Sequence, residues 1–262
     1  HTRPLTRVKF NREGDLFFTT AKDKAASVWY TSTGERLGTL NGHNGVIWDL
    51  DVDWNTTRAV TVSGDQTSKL WDVSNGKCLY TWDFKAPVRA VCFSPGDRVI
   101  AMAQTNQMAT EKPEVFLYRL NEDSTQQSAS SYLRLSGYTS NVTRILWYPT
   151  GEFILTAMED GTVKKWDAET GVEIGSANLH SKSINDCQWG PNQLMFITAS
   201  SDSSAKLVDT KSLQVLKEYK TDRPVNSASV SPILPHVLLG GGQEASRVTT
   251  TTDRAGKFES LF

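Results

Sequence analysis

Residues 42–72 read GHNGVIWDLDVDWNTTRAVTVSGDQTSKLWD, and this stretch decides the fold. Within it His43, Thr61, Asp65 and Trp71 follow one another at steps of 18, 4 and 6 residues. A histidine, a hydroxyl, a carboxylate and an indole can form one chain of hydrogen bonds. The imidazole donates to the carboxylate, and the hydroxyl links the imidazole to the indole N–H. The spacing therefore predicts a polar tetrad that anchors the strand carrying Trp71.

The same spacing recurs three more times along the chain, with two substitutions. Tyrosine replaces histidine in one copy, and valine replaces tryptophan in another. The distance from one copy to the next is 42 residues in both cases where two copies are adjacent. A period of roughly 40–45 residues is typical of a four-stranded propeller blade. The three further sets are His1, Thr19, Asp23 and Trp29; Tyr138, Thr156, Asp160 and Trp166; and His180, Thr198, Asp202 and Val208.

An apolar column independently marks six units. Its members lie 4, 7 and 9 residues after each histidine slot, and the last two share one face of a strand because they are two residues apart. The column adds two units that lack the tetrad, so the units begin near residues 1, 43, 84, 138, 180 and 221. The column consists of Leu5, Val8, Phe10; Ile47, Leu50, Val52; Val88, Val91, Phe93; Val142, Ile145, Trp147; Ile184, Cys187, Trp189; and Val225, Ala228, Val230.

The dipeptides Gly42-His43, Trp71-Asp72 and Trp166-Asp167 resemble the signature of the WD-repeat family. The resemblance implies an all-β fold, a WD-repeat β-propeller that occupies residues 1–262 as a single domain. Seven blades need roughly 280–315 residues at this period, and the chain has 262. We therefore expect seven blades in the full-length protein, with about six present and the seventh apparently missing. A closed ring of six blades is the alternative.

Composition limits the classes of function. A net charge of −1 gives no electrostatic attraction to nucleic acid or anionic membranes, and no apolar run approaches the length of a transmembrane helix. The three cysteines, Cys78, Cys92 and Cys187, fall in different units. An odd, dispersed set does not form a disulfide framework, which favours a reducing compartment.

The sequence does not indicate catalysis, a metal or a cofactor. His43, Thr61 and Asp65 could form a catalytic triad, but a nucleophile site has no need of four copies. The four histidines are dispersed and no cysteine pair has ligand spacing. We expect no enzyme and no catalytic, metal or cofactor-binding residues, which leaves interaction surfaces as the functional part of the molecule.

Three tryptophans have no position in the tetrads or the column: Trp48, Trp54 and Trp82. Packing between blades is the favoured interpretation for them. A place on a rim that faces a partner is the alternative.

Several less generic stretches carry a closer resemblance. The most specific are the first unit, RPLTRVKFNREGDL at residues 3–16, and the run GGGQEA at residues 240–245. With these stretches the chain resembles the family of the small WD-repeat subunit, subunit i, of eukaryotic translation initiation factor 3. Further stretches of the same kind are GERLGTL at 34–40, LQVLK at 213–217, VTTT at 248–251 and GKFE at 256–259.

This resemblance implies a non-catalytic scaffold subunit in a cytoplasmic hetero-oligomer. Its partners would be subunit b, through the C-terminal helix of that subunit, and subunit g. The complex would support recruitment to the small ribosomal subunit, scanning and start-codon selection, with no membrane and no direct nucleic-acid binding. Family contacts to the b helix use acidic side chains, and the matching positions are Asp209 and Asp222. The alternative is that Asp209 is only the aspartate of a Trp-Asp-type motif and Asp222 a turn residue.

Three other functions remain open from the sequence. The first is a WD-repeat adaptor of signalling or RNA–protein assembly, of the kinase-receptor-associated type. The GGGQEA run and the VTTT strand argue against it. The second is a ubiquitin-ligase substrate receptor, for which the near-neutral charge offers no basic pocket. The third is an enzyme built on a propeller, which no unassigned cluster of catalytic side chains supports.

Overall fold

The structure is a computed structural model that describes residues 1–106, 112–123, 125–242 and 259–261. These residues form 23 β-strands, and no helix occurs among them. The chain divides into two compact units, residues 1–151 and 152–262. The predicted all-β class is therefore confirmed. The runs at 248–251 and 256–258, and residues 243–245 of the GGGQEA run, lie outside the described residues.

The first unit contains three four-stranded antiparallel sheets, and the strands of each follow one another in chain order. One further strand, β13, completes the unit. The strands are β1 (Leu5–Phe10), β2 (Leu16–Ala21), β3 (Ala26–Tyr30), β4 (Arg36–Leu40), β5 (Ile47–Val52), β6 (Arg58–Ser63), β7 (Thr67–Asp72), β8 (Cys78–Asp83), β9 (Val88–Phe93), β10 (Val99–Gln104), β11 (Glu114–Arg119), β12 (Leu133–Leu135) and β13 (Val142–Trp147).

The second unit contains the remaining strands, which also pair antiparallel in chain order. One sheet, β17 to β20, is a complete four-stranded blade. The strands are β14 (Phe153–Met158), β15 (Thr162–Asp167), β16 (Glu173–Asn178), β17 (Ile184–Trp189), β18 (Met195–Ser200), β19 (Ser204–Asp209), β20 (Val215–Lys220), β21 (Val225–Val230), β22 (Val237–Gly241) and β23 (Glu259–Leu261).

The expected count of about six blades is met only in part. The first, second, third and fifth repeats each form a complete four-stranded sheet within one unit. The four strands of the fourth repeat are divided between the units, with β13 in the first and β14–β16 in the second. The sixth repeat has three strands among the described residues. Seven blades in the full-length protein stays a prediction.

The apolar column coincides with the first strand of every repeat. β1 begins at Leu5 and ends at Phe10, which are the first and last column residues of that repeat. The same holds for β5, β9, β13, β17 and β21. Most column residues are buried, because a pleated strand places alternate side chains against the neighbouring sheet. The first repeat differs, since Leu5, Val8 and Phe10 are each about half exposed.

Two apolar clusters pack between the sheets of the first unit. One joins the first and second sheets and includes Phe18, Leu50 and Trp71. The other joins the second and third sheets and includes Leu70 and Met102. Burial of such side chains is the main favourable term in folding.

Each sheet has two different ends, because its strands run up and down in order. The first and second strands, and the third and fourth, are joined by hairpin turns at one end, which we call the hairpin end. The turn between the second and third strands lies at the other end, together with the histidine that precedes the first strand.

No helix among the described residues is long and apolar enough to cross a membrane.

Candidate functional site

The tetrad of the second repeat is an uninterrupted chain of hydrogen bonds. Nδ1 of His43 lies 3.0 Å from Oδ2 of Asp65, and Nε2 lies 2.7 Å from Oγ1 of Thr61. The indole N–H of Trp71 donates to the same hydroxyl at 2.8 Å. Thr61 lies on β6 and Trp71 on β7, so the chain connects two strands to the residue that precedes β5. Each polar group in this buried chain has a partner.

Asp65 is fixed by donors from both sides of the turn in which it lies. It accepts the N–H of Asn44 at 2.7 Å, and the N–H and hydroxyl of Thr67 at 3.0 and 2.7 Å. Burial opposes ionisation, but the Thr67 and Asn44 hydrogen bonds and His43 outweigh it and lower the pKa of Asp65 to about 2. The carboxylate therefore stays charged and orients the imidazole.

The glycine of the Gly-His pair has a packing role. A Cβ on Gly42 would lie 3.2 Å from Cη2 of Trp71, which is tighter than ordinary van der Waals contact. The absence of a side chain lets the indole lie against the backbone just before His43. The dipeptide thus links the indole to the histidine that completes its hydrogen-bond chain.

The first and fifth repeats place their histidines in the same way. His1 lies 3.0 Å from Asp23 and 2.7 Å from Thr19, and the Trp29 indole donates to Thr19 at 2.8 Å. In the fifth repeat, His180 Nδ1 lies 2.9 Å from Asp202, and its Nε2 lies 2.8 Å from Thr198 Oγ1. There Val208 occupies the indole slot, and the Thr198 hydroxyl also lies 3.2 Å from the carbonyl oxygen of Lys206.

The fourth repeat keeps the hydroxyl–indole pair within the second unit. The Trp166 indole donates to Thr156 at 2.9 Å, and Asp160 accepts the N–H of Thr162 at 3.0 Å. Tyr138, in the histidine slot, lies in the first unit and is buried.

The geometry around His43 resembles a catalytic triad but does not have its access. A triad needs a hydroxyl that can reach a substrate while the histidine accepts its proton. Thr61 is 0% exposed and its oxygen already accepts the Trp71 N–H. The arrangement can therefore fix the strands, but it cannot deliver a nucleophile to solvent.

Stability should depend on pH through His43 and His180. Burial lowers the pKa of each imidazole below 6.5, and the paired carboxylates, Asp65 and Asp202, only partly offset this. Below about pH 6.5 the unfolded chain binds protons that the folded chain does not, so stability falls with falling pH. We expect the melting temperature to decrease between pH 7.5 and 5.5, with each histidine contributing at most about 1.4 kcal/mol per pH unit.

The matched variant is His43→Gln, which should be less stable at pH 7.5 and should show a flatter decline than the parent chain. The Asp65 pKa of about 2 predicts a separate loss of stability only below about pH 4. A melting temperature that stays constant from pH 7.5 to 5.5 would contradict the assignment.

Asp209 has a turn-capping role in the fifth repeat. Its Oδ1 accepts the N–H and the hydroxyl of Ser212, both at 2.7 Å, and the N–H of Lys211 at 3.1 Å. These bonds lower its pKa. Asp72 and Asp167 cap the equivalent turns of the second and fourth repeats in the same way. In the part of the chain that the structure describes, the Asp209 bonds use Oδ1 alone, and Oδ2 is available.

Asp222 lies away from Asp209, on the exposed connection between β20 and β21. The two carboxylates stand at opposite ends of β20, a six-residue strand. A strand of this length spans roughly 17–20 Å. The structure therefore does not bring the two residues together, and they flank the exposed strand β20. Along it Val215 is 43% exposed and Leu216 is 55% exposed.

The three unassigned tryptophans have different environments. Trp82 is buried and donates to the carbonyl oxygen of Ser128 at 3.0 Å. Trp48 is half-buried. Trp54 is 56% exposed, with the guanidinium of Arg12 stacked 3.7 Å from its ring centroid. Packing between blades was therefore the wrong interpretation for Trp54. Its position two residues beyond the end of β5 was the sequence signal that could have indicated an exposed side chain.

Successive four-stranded antiparallel sheets that carry His–Thr–Asp–Trp hydrogen-bond chains are the mark of a WD-repeat protein. The family model EIF3I matches residues 1–262. The chain therefore belongs to the EIF3I family.

Curated relatives agree with this assignment along the whole chain. A relative from Culex quinquefasciatus is 46% identical over 99% of this chain and 80% of its own length. Relatives from Drosophila melanogaster and Taeniopygia guttata are 45% and 44% identical over all of this chain, covering 81% and 80% of their own lengths. Each is named eukaryotic translation initiation factor 3 subunit I.

Proposed function

We propose that this protein is a non-catalytic scaffold subunit of eukaryotic translation initiation factor 3. The observation that carries the proposal is the family match over residues 1–262, with identities of 44–46% to curated subunits I. Within the complex it binds subunit g and the C-terminal helix of subunit b. The assembly acts in the cytoplasm on the small ribosomal subunit, in recruitment, scanning and start-codon selection. Residues 1–262 belong to a single WD-repeat propeller domain, with seven blades in the full-length protein.

Asp209 and Asp222 are the residues that we assign to the b helix. Their separation along β20, roughly 17–20 Å, equals about 11–13 residues of an α-helix at a rise of 1.5 Å. A helix lying along this strand places basic side chains at both carboxylates and apolar ones against Val215 and Leu216. Supporting observations are the exposure of Asp222, Val215 and Leu216, the partial exposure of Asp209, and the availability of Oδ2 of Asp209.

Reversing both charges should weaken binding of subunit b. For Asp209→Lys with Asp222→Lys, we expect the Kd for a peptide of the subunit b C-terminal helix to rise at least tenfold, or about 1.4 kcal/mol. The measurement is isothermal titration calorimetry at physiological salt, because rim charge pairs are sensitive to ionic strength.

Two controls separate the charge from the turn. Asp167→Lys alters the same kind of turn in the fourth repeat and should leave the Kd unchanged. Asp209→Asn keeps a side-chain acceptor for Ser212, since asparagine also caps such turns, but removes the charge. If the double lysine variant folds and binds the b peptide with the parent affinity, these two residues are not the contact.

A further inference from the structure

A large cleft opens at the hairpin end of the first unit. Its volume is about 1070 Å³. Turns from two sheets form its walls: the β5–β6 and β7–β8 turns of one sheet and the β9–β10 turn of the next, with the connection after β11. The histidine and carboxylate of each tetrad lie at the other end of its sheet, so this cleft is separate from them. It also lies in a different unit from Asp209 and Asp222.

The floor of the cleft is apolar. Leu16 and Val73 pack against the core cluster of the first and second sheets. Leu79 and Leu120 pack against the core cluster of the second and third sheets. Leu37 lies beside them and is 48% exposed. The two cores thus reach the surface at the bottom of one groove, which offers a partner apolar area to bury.

The walls of the cleft are acidic. Asp72, Asp97, Glu122 and Asp123 line it, whereas Arg98 is the cation that faces them. The second guanidinium, that of Arg58, is paired with Asp53 at 3.1 Å. Negative charge therefore exceeds positive charge around an apolar floor.

The carboxyl group of Asp97 is half-buried close to other carboxylates. Burial raises the pKa of Asp97 most, and the carboxylates Asp53 and Asp51 raise it further, whereas the Trp54 N–H bond at 2.8 Å and the Arg58 guanidinium lower it. A cation that enters the cleft would stabilise the charged form of Asp97. The hydrogen bond from the Trp54 N–H to Asp97 also positions the backbone of Trp54, which is 56% exposed near the cleft. Exposed tryptophans are enriched among residues that dominate binding energy.

We propose that this cleft is a docking site for a basic amphipathic segment of a partner protein. The apolar floor accepts the leucine-like face of such a segment, and the carboxylates accept lysine or arginine side chains. Nucleic acid does not fit, since its phosphates would meet the same carboxylates. The site goes beyond the proposed function and does not depend on the contact at Asp209 and Asp222.

The probe is a fluorescent 18-residue peptide with leucines at i, i+3, i+4 and i+7 spacing and lysines elsewhere. The first reference peptide keeps the leucines but carries glutamates in place of the lysines. The second keeps the composition of the basic peptide in scrambled order. Fluorescence anisotropy with the whole chain should show binding of the basic amphipathic peptide at least tenfold tighter than either reference. Its affinity should fall as the salt concentration rises.

The test variant is Leu37→Lys with Glu122→Lys, which changes one exposed floor residue and one exposed wall residue. The matched control is Leu194→Lys with Glu169→Lys, the same chemical change at exposed positions of the second unit. We expect the test variant to raise the Kd at least tenfold and the control to leave it unchanged. If the double variant does not fold, Glu122→Lys alone carries the test and should raise the Kd about threefold.

Three results would overturn the proposal. One is equal binding of the basic and acidic peptides, and another is equal binding of the scrambled peptide, since either removes the claimed specificity. The third is a test variant that binds as tightly as its control. A single-stranded RNA of 18 nucleotides serves as a further competitor, and its displacement of the peptide would assign the surface to nucleic acid instead.

Discussion

Replacing Trp71 by alanine is expected to lower the free energy of unfolding by about 3–5 kcal/mol. Its side chain is 1% exposed and packs in the core cluster of the first two sheets. Truncation removes this buried area and leaves a cavity against Gly42, whose backbone lies under the indole. It also removes the donor to Thr61 in a buried hydrogen-bond chain. Urea denaturation followed by tryptophan fluorescence measures the effect.

Trp29 provides the matched control for this prediction. Its indole donates to Thr19 at 2.8 Å, the same bond as in the second repeat, but the side chain is only half-buried. Trp29→Ala should therefore cost clearly less than Trp71→Ala. Trp71→Phe keeps most of the volume and loses the N–H, so it should fall between the parent and the alanine variant. Equal losses for Trp29→Ala and Trp71→Ala would show that burial does not set the cost.

The tetrads could be predicted from spacing because their geometry is local. His43, Asp65 and Trp71 belong to one repeat, and antiparallel pairing with short turns fixes which of its residues face one another. The apolar column located the first strand of each repeat for the same reason. The sequence period alone was therefore enough to locate these strands.

The surfaces were not predictable from the same signals. The acidic cleft joins turns near residues 53–58, 72–74, 96–98 and 120–125, which no local pattern connects. The exposure of Trp54 depends on where its turn lies relative to those from other sheets. Likewise the Asp209 sequence context did not distinguish a turn cap from a partner contact, and the structure shows that its Oδ1 caps the turn.

Gly161→Ala should also destabilise strongly, through a clash in the backbone of the second unit. Gly161 has φ of +87° and lies in the turn between β14 and β15. A Cβ there would lie 2.0 Å from the carbonyl oxygen of His180, which cannot move without its own chain. The Gly161 oxygen also accepts the N–H groups of Leu179 and His180, both at 3.0 Å. Left-handed strain and overpacking together predict a loss of about 2–5 kcal/mol.

Gly34→Ala separates the two contributions. Gly34 has φ of +71°, but a Cβ there would meet nothing within 4 Å, so only the left-handed strain of about 1–2 kcal/mol applies. The excess loss in Gly161→Ala then measures the clash. Because His180 must shift in Gly161→Ala, this variant should also change the imidazole ¹⁵N resonances of His180. The imidazole is held by Asp202 and Thr198. Gly34→Ala should leave them unchanged. Equal destabilisation by the two variants, with the His180 resonances unmoved, would mean that the backbone at His180 is not held against Gly161.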